Sequence, residues 1–232
     1  MLKVFFAGVC PLNDDGLYRQ AVSQLSPYRR GKAESYVFRK DRNLSAGAGL
    51  LLDSALRELG LREAEMQYRE GPHGKPYFAD KPGLFFNLSH SGERVMAVLS
   101  DREVGCDIER IGQESLAFAK RIYRSGEYRL IAEKADPAEQ NEMFFHLWTL
   151  KESYMKAAGA GLSLAPDSFE IAFRSGRPYL SSLPEREEYT LAEIPFSDGY
   201  RSALCVKGKC ALETEMQVTE VDLSCFLGCT NG

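Results

Sequence analysis

The chain has 232 residues, 44% hydrophobic and 27% charged, with a formal net charge of −4. That is ample chain for a buried core in one large domain or two small ones, and an acidic balance gives no general field for nucleic acid, although a local basic cluster can still grip phosphate. No apolar run approaches the ~20 residues that span a bilayer, and six cysteines scattered along the chain suit reduced cytosolic thiols better than a disulfide scaffold.

In chain order, residues 3–10 read as a buried first strand rather than a signal peptide, since no clear small-residue cleavage site follows. The spacing of Leu17, Ala21, Val22 and Leu25 predicts a helix over 14–25, with Asp14 or Asp15 as its N-cap. Ser26-Pro27 opens a second helix, 26–40, carrying Arg29, Arg30, Lys32, Arg39 and Lys40. The clearest helix is 41–60, with Leu44, Leu51, Leu52, Ala55, Leu56 and Leu59 in helical register and Gly60 as its stop. REGPHGKPYF (69–78) reads as a loop. FFNLSHS (85–91) and RVMAVLS (94–100) read as strands joined through Gly92, the second nearly all apolar and so central. VGCDIER follows, then helices over 116–134 and 139–158, then strands over 166–173, 177–183 and 200–208. Strand runs and helix runs are segregated, which predicts an α+β fold.

Three stretches hold residue types that can do chemistry. In the strand from Val104, alternation puts Val104, Cys106 and Ile108 on one face and Gly105, Asp107 and Glu109 on the other. The two carboxylates lie ~7 Å apart at Cα. Such a pair is either a solvated strand face or the seat of a cation that offsets their repulsion, and oxygen-only donors select a hard ion such as Mg²⁺. In 144–162, Phe144, Leu147, Trp148, Met155 and Ala158 keep helical spacing and pack inward. Glu152 and Lys156 share another face, as a routine i,i+4 pair or as working residues, and Lys151 beside them reads as surface charge. Gly74-Lys75-Pro76 sets a lysine on a tight loop. Ser89 and His90 are adjacent on a strand and point to opposite faces, so they do not make a nucleophile–base pair. Cys225 and Cys229 have no nearby histidine and do not make a zinc site.

GKPYF, FNLSHS, VGCDIERI and FHLWTLKESYMKAAGAGL occur in this order, and together they resemble the Sfp-type 4′-phosphopantetheinyl transferases. That family's core reads roughly G-K-P, F-N-x-S-H-S, x-G-x-D-x-E and W-x-x-K-E-x-x-x-K. The resemblance runs from about residue 25 to 205 and is densest from Gly74 to Leu164. It implies an α+β pseudo-dimer of two similar subdomains, 1–103 and 104–232, with coenzyme A in the cleft between them. It implies transfer of the 4′-phosphopantetheine arm of coenzyme A to a serine of an apo acyl or peptidyl carrier protein, with release of 3′,5′-ADP. By the same resemblance Asp107, Glu109 and Glu152 hold Mg²⁺, Glu152 sits where the general base would be, and Lys156 contacts the coenzyme A phosphates. Asp107, Glu152 and Lys156 are then the catalytic set, and Lys75, Ser89 and His90 belong to the coenzyme A site.

Arg29, Arg30, Lys32 and Arg42 are candidates for the coenzyme's 3′-phosphate, or solvated helix faces. Family members often carry a further arginine just past an Asp-Arg pair, where this chain has Leu44 in DRNLS, and Arg42 is the substitute. The carrier's acidic recognition helix would meet a surface patch near 113–130. The resemblance implies a cytoplasmic monomer with no nucleic-acid or membrane partner. The alternatives are another Mg²⁺-dependent phosphotransferase or pyrophosphohydrolase using the same acids, and a non-catalytic coenzyme A-binding module. Retention of both Glu152 and Lys156 argues against the module.

Overall fold

In the computed structural model the described residues are 1–182 and 188–226. In chain order the elements are β1 (Leu2–Gly8), α1 (Asp15–Gln24), α2 (Pro27–Glu34), α3 (Arg39–Arg57), β2 (Tyr68–Glu70), β3 (Pro76–Phe78), β4 (Phe85–Ser91), β5 (Arg94–Ser100) and β6 (Val104–Arg110). They continue with α4 (Leu116–Ile122), α5 (Ser125–Ala132), α6 (Pro137–Ala158), β7 (Glu170–Arg174), β8 (Arg177–Ser182), β9 (Tyr189–Glu193), β10 (Tyr200–Lys207), α7 (Leu212–Glu215) and β11 (Met216–Val221). The chain divides into two compact units. The first comprises Met1–Glu70, Pro76–Asp101 and the segment from Glu215 onward, and the second comprises Gly71–Lys75 and Arg102–Thr214. Each packs a long helix on a sheet, which makes the fold α+β.

In the first unit the sheet order is β11-β1-β5-β4. The apolar strand β5 is central, paired antiparallel with both β1 and β4, and Val95 to Leu99 are fully buried. α3 lays Leu44, Leu51, Leu52, Ala55 and Leu56 into the core that Phe5, Val95, Ala97 and Leu99 share. Local signals start the shorter helices. Asp14 accepts from the Leu17 amide at 2.9 Å to cap α1, and Ser26 caps α2 ahead of Pro27.

In the second unit the sheet order is β6-β10-β9, all antiparallel. Its register sets Asp107 opposite Ala203, Gly105 opposite Cys205 and Glu109 opposite Arg201. α6 supplies Phe144, Leu147, Leu150, Tyr154, Met155 and Ala157 to a core that includes Ala203 and Cys205. Asp136 accepts from the Ala138 amide at 2.9 Å and starts α6, and Gly159 ends it at φ +67°.

Several sequence expectations need correction. The predicted helix 26–40 stops at Glu34, and α3 begins at Arg39. The intervening Ser-Tyr-Val-Phe are weak helix formers. The predicted helix 116–134 breaks at Tyr123 and Arg124, both extended, and Glu127 recaps α5 by accepting from the Arg124 amide at 2.9 Å. The loop 69–78 contains the paired strands β2 and β3. Residues 166–168 form a short turn before β7, and residue 183 of the predicted strand 177–183 lies outside the described residues. β9 and β11 have no counterpart among the elements expected from the sequence. The division of the chain is also more interleaved than a single boundary at 103. β11 pairs parallel with β1 through Leu2↔Met216 to Ala7↔Val221 and so joins the first unit, while Gly71–Lys75 joins the second. Among the described residues no helix is long and apolar enough to cross a membrane.

Candidate active site

β6 and α6 meet at Gly105. A Cβ there would sit 2.1 Å from the Ser153 carbonyl oxygen and 2.3 Å from the Ala157 nitrogen. Only glycine lets the helix backbone rest on the strand at this point. One step along the same face, Asp107 receives the Lys156 ammonium, Nζ to Oδ1 at 2.6 Å. The Asp107 side chain is 3% exposed and that of Lys156 is 29% exposed. The carboxylate face of β6 is therefore not a solvated one at Asp107. Lys156 reaches across from helix to strand rather than serving only as an i,i+4 partner along α6.

Glu152 lies one turn before Lys156 and is half-buried. Burial pushes its carboxyl pKa above the usual range. Lys156 opposes that shift and the Asp107 charge reinforces it. Burial works against the Lys156 charge too, but Asp107 and the other acidic groups beside it more than offset this, and the ammonium is held above its ordinary pKa. Cys106 is fully buried and its thiol is pushed up to about 12 by burial, so it stays protonated and offers no nucleophile. Glu109 is half-buried and registers opposite Arg201, which also reaches Glu142 at 2.8 Å and Glu193 at 3.6 Å. Among the described residues, no three His, Cys, Asp or Glu side chains group closely enough to hold a metal by themselves.

Lys75 belongs to the second unit. Its ammonium donates to the Val104 carbonyl at 2.9 Å and the Ala157 carbonyl at 3.3 Å, and burial lowers its pKa. Lys151 is the residue that sequence reasoning misplaced. It is fully buried, paired with Glu127 at 2.7 Å, and donates to the Pro166 and Phe169 carbonyls at 2.8 Å each. A charged residue between polar neighbours reads as surface.

The remaining predicted residues lie in the first unit. On β4, Ser89 is buried and His90 exposed, as alternation requires. Arg42 is exposed, with its Nε donating to the Tyr36 carbonyl at 2.7 Å. Arg29 is 4% exposed and donates to the Ser45 carbonyl at 2.9 Å, so it is not a solvated helix-face residue, one of its two readings above. Arg30 donates to the Val22 and Ser23 carbonyls, at 3.1 Å each, and so closes the end of α1. Lys32 is exposed. In the second unit, α4 presents an exposed Phe118 beside exposed Lys120 and Arg121.

Residues 103–205 match the 4′-phosphopantetheinyl transferase superfamily model, and residues 12–101 match the model described as 4′-phosphopantetheinyl transferase, N-terminal. The chain is 32% identical over 186 residues to 4′-phosphopantetheinyl transferase Sfp of Bacillus subtilis (strain 168), covering 79% of this chain and 83% of that protein. It is 31% identical over 219 residues to 4′-phosphopantetheinyl transferase psf-1 of Bacillus pumilus, covering 91% and 93%. The chain belongs to the 4′-phosphopantetheinyl transferases. Asp107, Glu109, Glu152 and Lys156 of this transferase fall within the superfamily match, and Arg42, Lys75, Ser89 and His90 within the N-terminal one. The two matches cover two α+β units of like plan, the pseudo-dimeric organisation of the fold. Of solved structures, a holo-(acyl-carrier-protein) synthase from Bacillus anthracis str. Ames in complex with CoA (3′,5′-ADP) superimposes with a TM-score of 0.40 and 19% identity. It covers 47% of the transferase and 96% of that chain, too partial an overlap to carry argument.

Proposed function

We propose that this chain transfers the 4′-phosphopantetheine arm of coenzyme A to a serine of an apo acyl or peptidyl carrier protein in a Mg²⁺-dependent reaction, releasing 3′,5′-ADP. The observation that carries the reading is the group Asp107–Lys156–Glu152, with its ion pair of 2.6 Å and a glutamate whose pKa burial raises. Membership of the family supports the reaction type.

The donor chemistry fits a hard divalent ion. Asp107 and Glu152 are oxygen donors that sense each other's charge, and Glu109 lies two residues along the same strand face as Asp107. Mg²⁺ takes one or two protein carboxylates and completes its shell with water and substrate phosphates, so it needs no closed three-carboxylate cage. Asp107, Glu109 and Glu152 would hold it. When bound, such an ion stabilises negative charge on the phosphate oxygens.

The chain's own residues supply the rest. The carrier serine oxygen attacks the phosphorus that bears the pantetheine arm, the bond to the adenylyl-side phosphate breaks, and 3′,5′-ADP leaves. Glu152 accepts the serine proton, and a carboxyl with a raised pKa is a stronger base than a solvated one. Lys156 stabilises the charge that develops on the phosphate oxygens. The reading assigns Ser89, His90, Arg42 and Lys156 to coenzyme A. It docks the carrier's acidic helix on α4, at Phe118, Lys120 and Arg121. It takes the protein as a cytoplasmic monomer that engages neither nucleic acid nor membrane.

Intact-mass spectrometry of an apo carrier protein with the chain, coenzyme A and Mg²⁺ tests this. The expected result is a mass gain of one phosphopantetheine, lost when EDTA is added. Consumption of coenzyme A without a mass gain on several carriers would replace the transferase by a hydrolase.

A further inference from the structure

The family resemblance gives Lys75 to coenzyme A, but its ammonium is already engaged. It bonds the carbonyl of Val104, the first residue of β6, and the carbonyl of Ala157, in the last turn of α6. Carbonyls in the last turn of a helix lack intrahelical partners, and a cation there is favoured by the helix dipole. The loop that carries Lys75 is built to hold it in place. The Gly71 amide donates to the Lys75 carbonyl at 2.9 Å, and the Gly74 amide to the Gly71 carbonyl at 3.0 Å. The lysine stem crosses Gly159, where a Cβ would lie 3.7 Å from Lys75 Cδ, and His73 covers Gly161, where a Cβ would lie 3.3 Å from His73 Cβ.

The two anchored carbonyls flank the reacting group. Val104 precedes Asp107 by three residues, and Ala157 follows Lys156 directly. Between them lies the bare backbone contact at Gly105, where no side chain interlocks strand and helix. We propose that Lys75 is a positioning residue of the transfer reaction: its ammonium ties the start of β6 to the end of α6 and so keeps Asp107 within pairing distance of Lys156, instead of gripping a coenzyme A phosphate. The proposal rests on the reaction proposed above and adds to it the part that sets the spacing of its charged groups. Without the tie, α6 relaxes from β6. The 2.6 Å pair between Asp107 and Lys156 then loses the support that sets its distance.

The test compares the full-length chain with K75M, which keeps an apolar stem, and with K75R, which keeps the cation. The readouts are kcat, coenzyme A affinity by titration calorimetry, and amide hydrogen exchange. K75M is expected to lose roughly 10²-fold in kcat, the scale of an ångström-level misplacement, with faster amide exchange around 104–107 and 156–159. K75R is expected to recover part of the loss. A rise of about tenfold or more in the coenzyme A dissociation constant of K75M, with amide exchange around 104–107 and 156–159 unchanged, would make Lys75 a phosphate ligand and overturn the proposal. So would unchanged kinetics in K75M. If the parent chain transfers nothing to any carrier, the proposed reaction fails, and hydrogen exchange alone decides the tie. Faster exchange around 104–107 and 156–159 in K75M supports it, and unchanged exchange overturns it.

Discussion

Glu152 holds its proton more tightly than a solvated carboxyl, because burial and the nearby Asp107 charge disfavour its ionised form and Lys156 compensates only in part. The consequence for stability has a definite sign. A carboxyl whose pKa is raised on folding favours the folded state while it is protonated. That advantage is complete below the unfolded pKa and is lost as pH rises through the folded one. At neutral pH Glu152 is therefore a group the fold tolerates for the sake of its chemistry. E152Q keeps the shape and removes the charge. It is expected to abolish transfer and to unfold at a higher temperature than the parent at neutral pH. A midpoint equal to or below the parent's, measured by calorimetry, would show that ionised Glu152 is not penalised.

At the scale of elements, α6 is held by a pair that its sequence disguises. Glu127 and Lys151 are both fully buried, and the lysine adds bonds to two carbonyls and lies 4.2 Å from the centre of the Phe169 ring. Removing one member leaves the other charge buried without its counter-charge, at a cost of about 3–5 kcal/mol, whereas replacing both by apolar groups is often neutral. E127Q is thus expected to lower stability to urea by about that amount, and E127L with K151M to recover most of it. A single variant as stable as the parent would reduce the pair to a bystander. Patterns confined to one element were legible in the sequence. β4, β5 and β6 follow from alternation and apolar runs, and α3 from its leucine stripe. Patterns that needed a second element were not. Nothing in the residue types marks the break at Tyr123–Arg124, because its cap is Glu127, a residue of the next helix. The candidate site shows the same division. The residue types and order of Asp107, Glu152 and Lys156 suggested charge chemistry, yet only the contact at Gly105 shows that strand and helix bring them together. The carbonyls that engage Lys75 and Arg29 are distant in sequence, so no local pattern announces those bonds.

For the whole molecule, the feature hardest to read was the return of the chain to its first unit. β11 is short and mostly exposed, and its partner is the first strand, more than two hundred residues away. No local pattern encodes such a pairing. Its physical effect is to cover one edge of β1, which would otherwise present unpaired backbone groups. Just beyond it, Leu223 is 1% exposed and packs in the same core as Val9 and Leu12. A chain ending at Thr214 loses both. Burying one leucine is worth about 1.5–3 kcal/mol, and each backbone hydrogen bond about 0.5–1.5 kcal/mol net. The shortened chain is therefore expected to unfold several degrees lower, since 1 kcal/mol moves the midpoint by roughly 2–4 °C at this size, and to aggregate more readily through the bared edge. L223A in the full-length chain separates the two effects. It should lower the midpoint by the core contribution alone and leave the protein soluble on heating as far as its own transition. If the shortened chain unfolds at the parent's temperature, β11 and Leu223 contribute nothing to the first unit, and a single boundary near residue 103 would describe the energetics better than the interleaved division seen here.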